Sequence, residues 1–119
     1  YGTFAEVGAG CGLVGLGVHR ANLAEHVTLT ETSEVMSNLL KNVEQNYPKR
    51  PESLKCCRLD WTTCPQDCQH AGIQPHSMDT IVGTDVVFST RFVGPLLETL
   101  RYLAHADTLI LLCLQERCK

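Results

Sequence analysis

Apolar positions fall along this chain in short blocks separated by turn-forming and polar residues, and the blocks predict strands and helices in alternation. Residues 3–7 read as a first strand and Leu13 to Arg20 as a first helix. Val27 to Thr30 is a second strand that ends at Glu31. Val35, Met36, Leu39, Leu40 and Val43 recur at helical spacing. Thr32 and Ser33 are N-cap candidates for that helix, Glu34 suits its first turn, and Asn46 and Pro48 stop it. Leu54 to Leu59 predicts a third strand, ending at Asp60-Trp61. Residues 62–77 have no clean period and many turn formers, so they read as a loop with room for one helical turn. Met78 to Thr84 is a fourth strand, ending at Asp85. Thr90 can cap a helix carrying Phe92, Val93, Leu96, Leu97, Leu100 and Leu103, with Pro95 acceptable only near its start. Thr108 to Leu114 is the last strand.

Strands alternating with helices predict an α/β fold with a mostly parallel sheet of about five strands. Right-handed crossovers then place helices on both faces. In such sheets ligands bind at the carboxyl ends of the strands. With the order 3-2-1-4-5, the turn after strand one and Asp85 become neighbours on that edge.

Composition narrows the picture. The chain has 119 residues, enough for a single domain spanning 1–119. Its hydrophobic content of 44% and charged content of 19% are ordinary for a globular protein. A net charge of −3 gives no electrostatic reason to expect nucleic acid as a partner. No run of about 20 apolar residues predicts a membrane span, and no charged leader with an apolar core precedes the first strand. Seven cysteines, an odd number scattered over strands and loops, suit reduced thiols in the cytoplasm or nucleus better than a disulfide framework.

The candidate chemistry gathers around Glu6-Val7-Gly8-Ala9-Gly10-Cys11-Gly12. Glycines at alternate positions allow positive φ and let a ligand lie against the backbone, and the helix behind them has N–H groups to offer. Gly10, Gly12 and Gly15 also satisfy the dinucleotide spacing G-x-G-x-x-G. Glu6, in step with Gly8, Gly10 and Gly12, would repel a pyrophosphate and suits a ligand with a cationic amino-acid end. Glu31 stands near the roughly 20-residue offset at which an acidic group meets ribose hydroxyls.

These stretches, with Leu59-Asp60-Trp61 and Asp85-Val86-Val87-Phe88, resemble the seven-β-strand, Rossmann-like class I methyltransferases that use S-adenosylmethionine. Asp85 to Phe88 is similar to the D/E-x-x-Y/F signature of the methyltransferase-like-21 family of protein-lysine methyltransferases. The resemblance covers nearly the whole chain. It implies that Gly8, Ala9 and Gly10 line the methionine end of the cofactor, that Glu31 binds the ribose hydroxyls, that Trp61 stands beside the adenine and that Thr84 packs against the cofactor. Asp85 and Phe88 would lie near the transferred methyl and the target lysine. The implied activity is methyl transfer to a lysine of a protein substrate, without a metal; the family acts on chaperones, an AAA-type ATPase and translation elongation factors. Asp85 would then hold the lysine ammonium before it loses its proton, and Phe88 would offer a ring face to a cation.

Three departures stand out. Cys11 occupies a position where the family usually has threonine. The family's N-terminal segment, with a further tryptophan, and its two strands after the fifth are missing, so the chain reads as a truncated domain. The apolar run Thr108 to Leu114 agrees, because it has the pattern of a strand buried on both faces yet comes last.

Plainer readings stay open. The glycine run can be an ordinary strand–helix turn, Glu31 a solvated helix-terminal charge, Trp61 and Phe88 core aromatics, and Asp60 and Asp85 turn caps. Cys57, Cys64, Cys68 and His70 invite a zinc reading, although their spacing is not a standard knuckle. For the whole chain, the alternatives are a catalytically inactive remnant with weak or no cofactor binding and a nicotinamide-dependent Rossmann domain. The lack of an N-P-P-Y/F stretch at Asp85–Phe88 argues against DNA-amino and glutamine targets.

Overall fold

Strand β1 (Thr3–Val7) lies at the centre of a five-stranded sheet, between β2 (His26–Glu31) and β4 (Met78–Thr84). β3 (Leu54–Arg58) pairs outside β2 and β5 (Ala104–Cys113) outside β4, giving the order β3-β2-β1-β4-β5. Every neighbouring pair is parallel, so all five carboxyl ends share one edge. The computed structural model describes residues 2–86 and 89–115; Phe88, a residue the motif singles out, lies outside the described residues.

The side chains of β1 show why the sheet is covered twice. Phe4 enters a core with Leu16, Leu29, Leu39 and Val43, beneath α1 (Leu13–Arg20) and α2 (Ser33–Asn46). Ala5 and Val7 enter a second core with Leu59, Ile81, Leu96 and Leu100, beneath α3 (Cys64–Ala71) and α4 (Val93–Leu103). Burial of successive residues on opposite faces is the signature of a central parallel strand.

The structure departs from the sequence reading in three places. Residues 62–77 hold more helix than the one turn expected: a 3-10 turn over Trp61–Thr63 leads into the eight-residue helix α3, with Pro65 in its first turn, and the loop proper is residues 72–77. Its inward face is made of Cys64, Asp67 and Cys68, so no run of large apolar residues marks its period. Gly72, at φ 77°, ends it in the left-handed conformation that glycine takes most easily. β5 begins at Ala104, directly after α4, and its register against β4 shifts between Met78 and Thr80. The polar residues there, His105, Asp107 and Thr108, hide the strand's first half. Finally, Thr32 is the N-cap of α2 but its hydroxyl makes no capping bond; the Glu31 carboxylate accepts from its backbone N–H instead, at 2.8 Å.

β5 is an edge strand among the described residues. Leu109 and Ile110, on opposite faces, are 54% and 39% exposed, as the continuous apolar run leads one to expect.

Candidate functional site

The turn after β1 is built from the backbone outward. Gly8 and Gly10 have φ of 62° and 60°, a region costly for residues with a Cβ. The Ala9 N–H donates to the Thr30 carbonyl at 3.0 Å, and the Gly12 N–H donates to the Ala9 carbonyl at 2.9 Å. The turn is thereby tied to the end of β2. A Cβ on Gly8 would come within 2.9 Å of Val86 Cγ1, and 3.6 Å from it lies Trp61 Cζ2. A Cβ on Gly10 would meet nothing within 4 Å, so the backbone there is open to an approaching ligand.

Glu6 corrects one expectation. Its side chain is buried and not exposed on the turn's open side; the residue is 1% exposed, and Oε1 accepts the Gly15 N–H at 2.9 Å. Gly15 belongs to the first turn of α1, whose N–H groups have no helical partner. The carboxylate therefore satisfies one of the free N–H groups of the helix terminus from inside the fold. Burial, reinforced by the nearby Glu31 charge and partly offset by the Gly15 N–H, lifts its pKa from the usual 4.5 to about 7.

The carboxyl ends of β1 to β4 meet in one cleft of about 570 Å³, a size suited to a small-molecule ligand. Gly8, Glu31, Asp60, Trp61 and Asp85 line it, bringing together five residues singled out by sequence. Glu31 Oε2 accepts from the Gly10 N–H at 2.8 Å, so this carboxylate joins the turn to β2 while lining the cleft. With two bonds accepted out of about four that a carboxylate can take, it keeps acceptor capacity for ligand hydroxyls. Asp60 caps the 3-10 turn: Oδ1 accepts from Thr62 N at 2.9 Å and from Thr62 Oγ1 at 2.6 Å. Those bonds hold its pKa below the usual carboxylate value. Asp85 has φ 54°, a left-handed conformation that aspartate tolerates better than most residues, and its N–H donates to the Cys113 carbonyl at 2.7 Å.

Ala9, Gly10 and Thr84 are next to the cleft in the chain but are not among its lining residues; Thr84 ends β4, paired with Cys113. Sequence reasoning missed Glu34, Val86, Arg91 and Phe92, which do line it. Their common signal is position, in the connections that follow β2 and β4: Val86 stands directly after β4, Glu34 in the first turn of α2, and Arg91 and Phe92 in the turn before α4. Cys64 and Cys68 turn their sulfurs into the core, 3.9 Å apart, and no group of three or more potential metal ligands forms among the described residues.

Charge decides which ligands the cleft fits. Glu31, Glu34, Asp60 and Asp85 line it against one guanidinium, that of Arg91. Such walls repel phosphates and favour a ligand with hydroxyls and positive charge. An open glycine turn, an acidic group at the end of β2 and an aromatic residue after β3 mark the cleft of a Rossmann-like domain. A family model for lysine methyltransferases matches residues 3–119, and the chain belongs to that family. It is 32% identical over 114 residues to the zebrafish (Danio rerio) protein N-lysine methyltransferase METTL21A, covering 94% of this chain and 49% of that protein. It is also 32% identical over 112 residues to EEF1A lysine methyltransferase 3 of Xenopus tropicalis, covering 94% and 46%. The chain thus spans about half the length of these relatives. The fold is shared with a putative S-adenosyl-L-methionine-dependent methyltransferase of Methanococcus maripaludis, at TM-score 0.74, 17% identity and coverage of 93% and 47%. It is shared too with the glycopeptide N-methyltransferase MtfA complexed with S-adenosyl-L-methionine, at TM-score 0.65, 16% identity and coverage of 94% and 46%.

Proposed function

We propose that this protein binds S-adenosylmethionine in the cleft and transfers its methyl group to a lysine side chain of a protein substrate. The convergence of Gly8, Glu31, Trp61 and Asp85 on one cleft is the observation that supports this reading most. The cofactor, when bound, supplies a methyl group on a positively charged sulfur, ready for direct displacement. In this reading Gly8 and Gly10 leave room beside their backbone, Glu31 accepts hydroxyl hydrogens, and Trp61 gives a flat apolar wall. Glu6 serves from below, fixing the turn through Gly15. Asp85 accepts a hydrogen bond from the incoming lysine, holding the amine in line while it gives up its proton. Positioning of this kind is the main catalytic contribution open to the chain. Phe88 is proposed, on its motif alone, as the ring beside the cation.

The EEF1A lysine methyltransferase among the relatives makes a protein substrate the natural choice, and a translation elongation factor is one candidate beside a chaperone or an AAA-type ATPase. The cytoplasm, with the nucleus as a second site, is the proposed location; no described helix is long and apolar enough to cross a membrane.

Isothermal titration with S-adenosylhomocysteine tests the cofactor reading. The wild type is expected to bind, and Glu31→Ala to lose more than about 1 kcal/mol of affinity. A folded wild type that does not bind would favour the inactive-remnant alternative. Mass spectrometry of candidate substrates then reads methyl-lysine, with Asp85→Asn expected to slow transfer while leaving cofactor affinity nearly intact.

A further inference from the structure

Asp67 is 8% exposed, on α3, and does not line the cleft. Three donors converge on it nonetheless. Oδ2 accepts from the Asp60 backbone N–H at 2.8 Å and from Thr63 Oγ1 at 3.0 Å, and Oδ1 accepts from Arg58 at 3.1 Å. These groups come from the end of β3, the corner after it and the 3-10 turn. The segment they bracket contains Trp61, whose ring lies against Gly8. Asp60 binds Thr62 from the other side of the same corner, so two carboxylates together fix the backbone on which Trp61 stands.

A carboxylate this buried is costly unless its bonds are satisfied. A helix of eight residues needs no such group to pack; the backbone geometry of the corner does. We infer that Asp67 is a positioning residue: by holding Asp60 and Thr63 it sets the place of the Trp61 wall, and thereby the cofactor affinity of the cleft. The inference rests on the cofactor reading above and adds a residue outside the cleft to it. Asparagine at this position has one acceptor oxygen in place of two, and its amide nitrogen cannot accept from Arg58 or from Asp60. Substitution therefore frees one side of the corner even when the helix stays intact.

Trp61 is the only tryptophan in the chain, which makes its fluorescence a report on this corner alone. The test compares wild type, Asp67→Asn, Trp61→Ala and the double variant. Each is measured for S-adenosylhomocysteine affinity, acrylamide quenching of Trp61 where present, and urea unfolding. Asp79→Asn serves as control, since Asp79 binds Thr3 and His105 at the opposite edge of the sheet. Asp67→Asn is expected to raise quenching and to weaken binding about tenfold, the scale of one charged hydrogen bond. In the Trp61→Ala background it should weaken binding by less than about twofold, because the wall it positions is gone. Asp79→Asn should change neither quenching nor affinity. Thr63→Val, which removes one donor to Oδ2, is the milder variant and should move both readouts in the same direction if Asp67→Asn does not fold. Unchanged quenching and affinity in a folded Asp67 or Thr63 variant overturns the inference. So does an equal loss of affinity with and without Trp61, which reports a general structural role. A folded wild type that fails to bind the probe refutes the cofactor reading itself, an outcome distinct from a wild type and variant that bind equally well.

Discussion

Glu6→Gln should remove a pH dependence of stability that comes from one buried carboxyl. Glu6 is 1% exposed, and its pKa rises from 4.5 to about 7 in the folded protein. Between those values the folded chain holds a proton that the unfolded chain has released. Stability contributed by this group is therefore greatest at low pH and declines as pH rises through the window, levelling off above about 7. At about 1.4 kcal/mol for each pH unit, the decline amounts to about 3 kcal/mol. Glutamine keeps an oxygen for the Gly15 N–H but cannot ionise. Its amide also places a new donor in a buried site, a cost of about 1–3 kcal/mol that does not vary with pH. The discriminating quantity is thus a difference of differences. From about pH 5 to about pH 8 the variant should gain roughly 3 kcal/mol relative to wild type in urea unfolding, whatever its stability at either end. A variant whose deficit is the same at both pH values would refute the assignment of the titration to Glu6.

Other consequences are smaller and separable. A Cβ on Gly15 would overlap Leu29 Cδ2 and lie 3.0 Å from Glu6 Oε1, so Gly15→Ala should destabilise by about 1–2 kcal/mol, overpacking less the helix-propensity gain. A Cβ on Gly17 meets nothing within 4 Å, so Gly17→Ala should stabilise by about 0.5–1 kcal/mol; urea unfolding yielding the same sign for both would contradict the packing argument. Backbone and side-chain bonds from Thr3 and His105 hold the Asp79 carboxyl below its usual pKa, so the stability it adds is present above the unfolded-state value and lost as pH falls through the folded one. Acid titration of Asp79→Asn should show a shallower loss than wild type, and parallel curves would count against it. Burial pushes the Cys57 thiol up to about 11 and the Cys68 thiol up to about 12, so iodoacetamide at neutral pH should label exposed Cys11 and Cys113 before Cys57 and Cys68, as read by mass spectrometry.

Sequence made the sheet legible because its signals are local and strong. β1 and β4 have the bounds that the apolar blocks predict, and the observed order β3-β2-β1-β4-β5 is the one assumed for the sequence and shared by the family it resembles. The cleft was legible too, since ligands gather at strand carboxyl ends, and Gly8, Glu31, Trp61 and Asp85 all stand there. Helix α3 was not, because Cys64, Asp67 and Cys68 bury a face that hydrophobic periodicity does not register. The apolar spacing puts Arg91 and Phe92 in a helix, whereas they form a 3-10 turn that brings them to the cleft.

The carboxylates show where a sequence reading stops. Glu6, Glu31, Asp60 and Asp85 are acidic and stand at or next to the ends of strands, Asp67 lies on the helix after β3, and nothing in their immediate neighbours ranks them. Three-dimensional structure divides them by what their oxygens do. Glu6 and Asp67 are buried and spend their acceptors on backbone and side-chain donors of the scaffold, one on the helix behind the glycine turn and the other on the corner before Trp61. Glu31, Asp60 and Asp85 line the cleft. Glu31 and Asp60 also bind nearby backbone N–H groups, so the walls that would touch a ligand are braced by the same groups that would recognise it. Bonds of this kind help an acidic cleft keep its shape against its own repulsion, and Asp67 braces the corner from behind. That is why the substitutions with the largest effect on binding should include Asp67, a residue that touches no ligand.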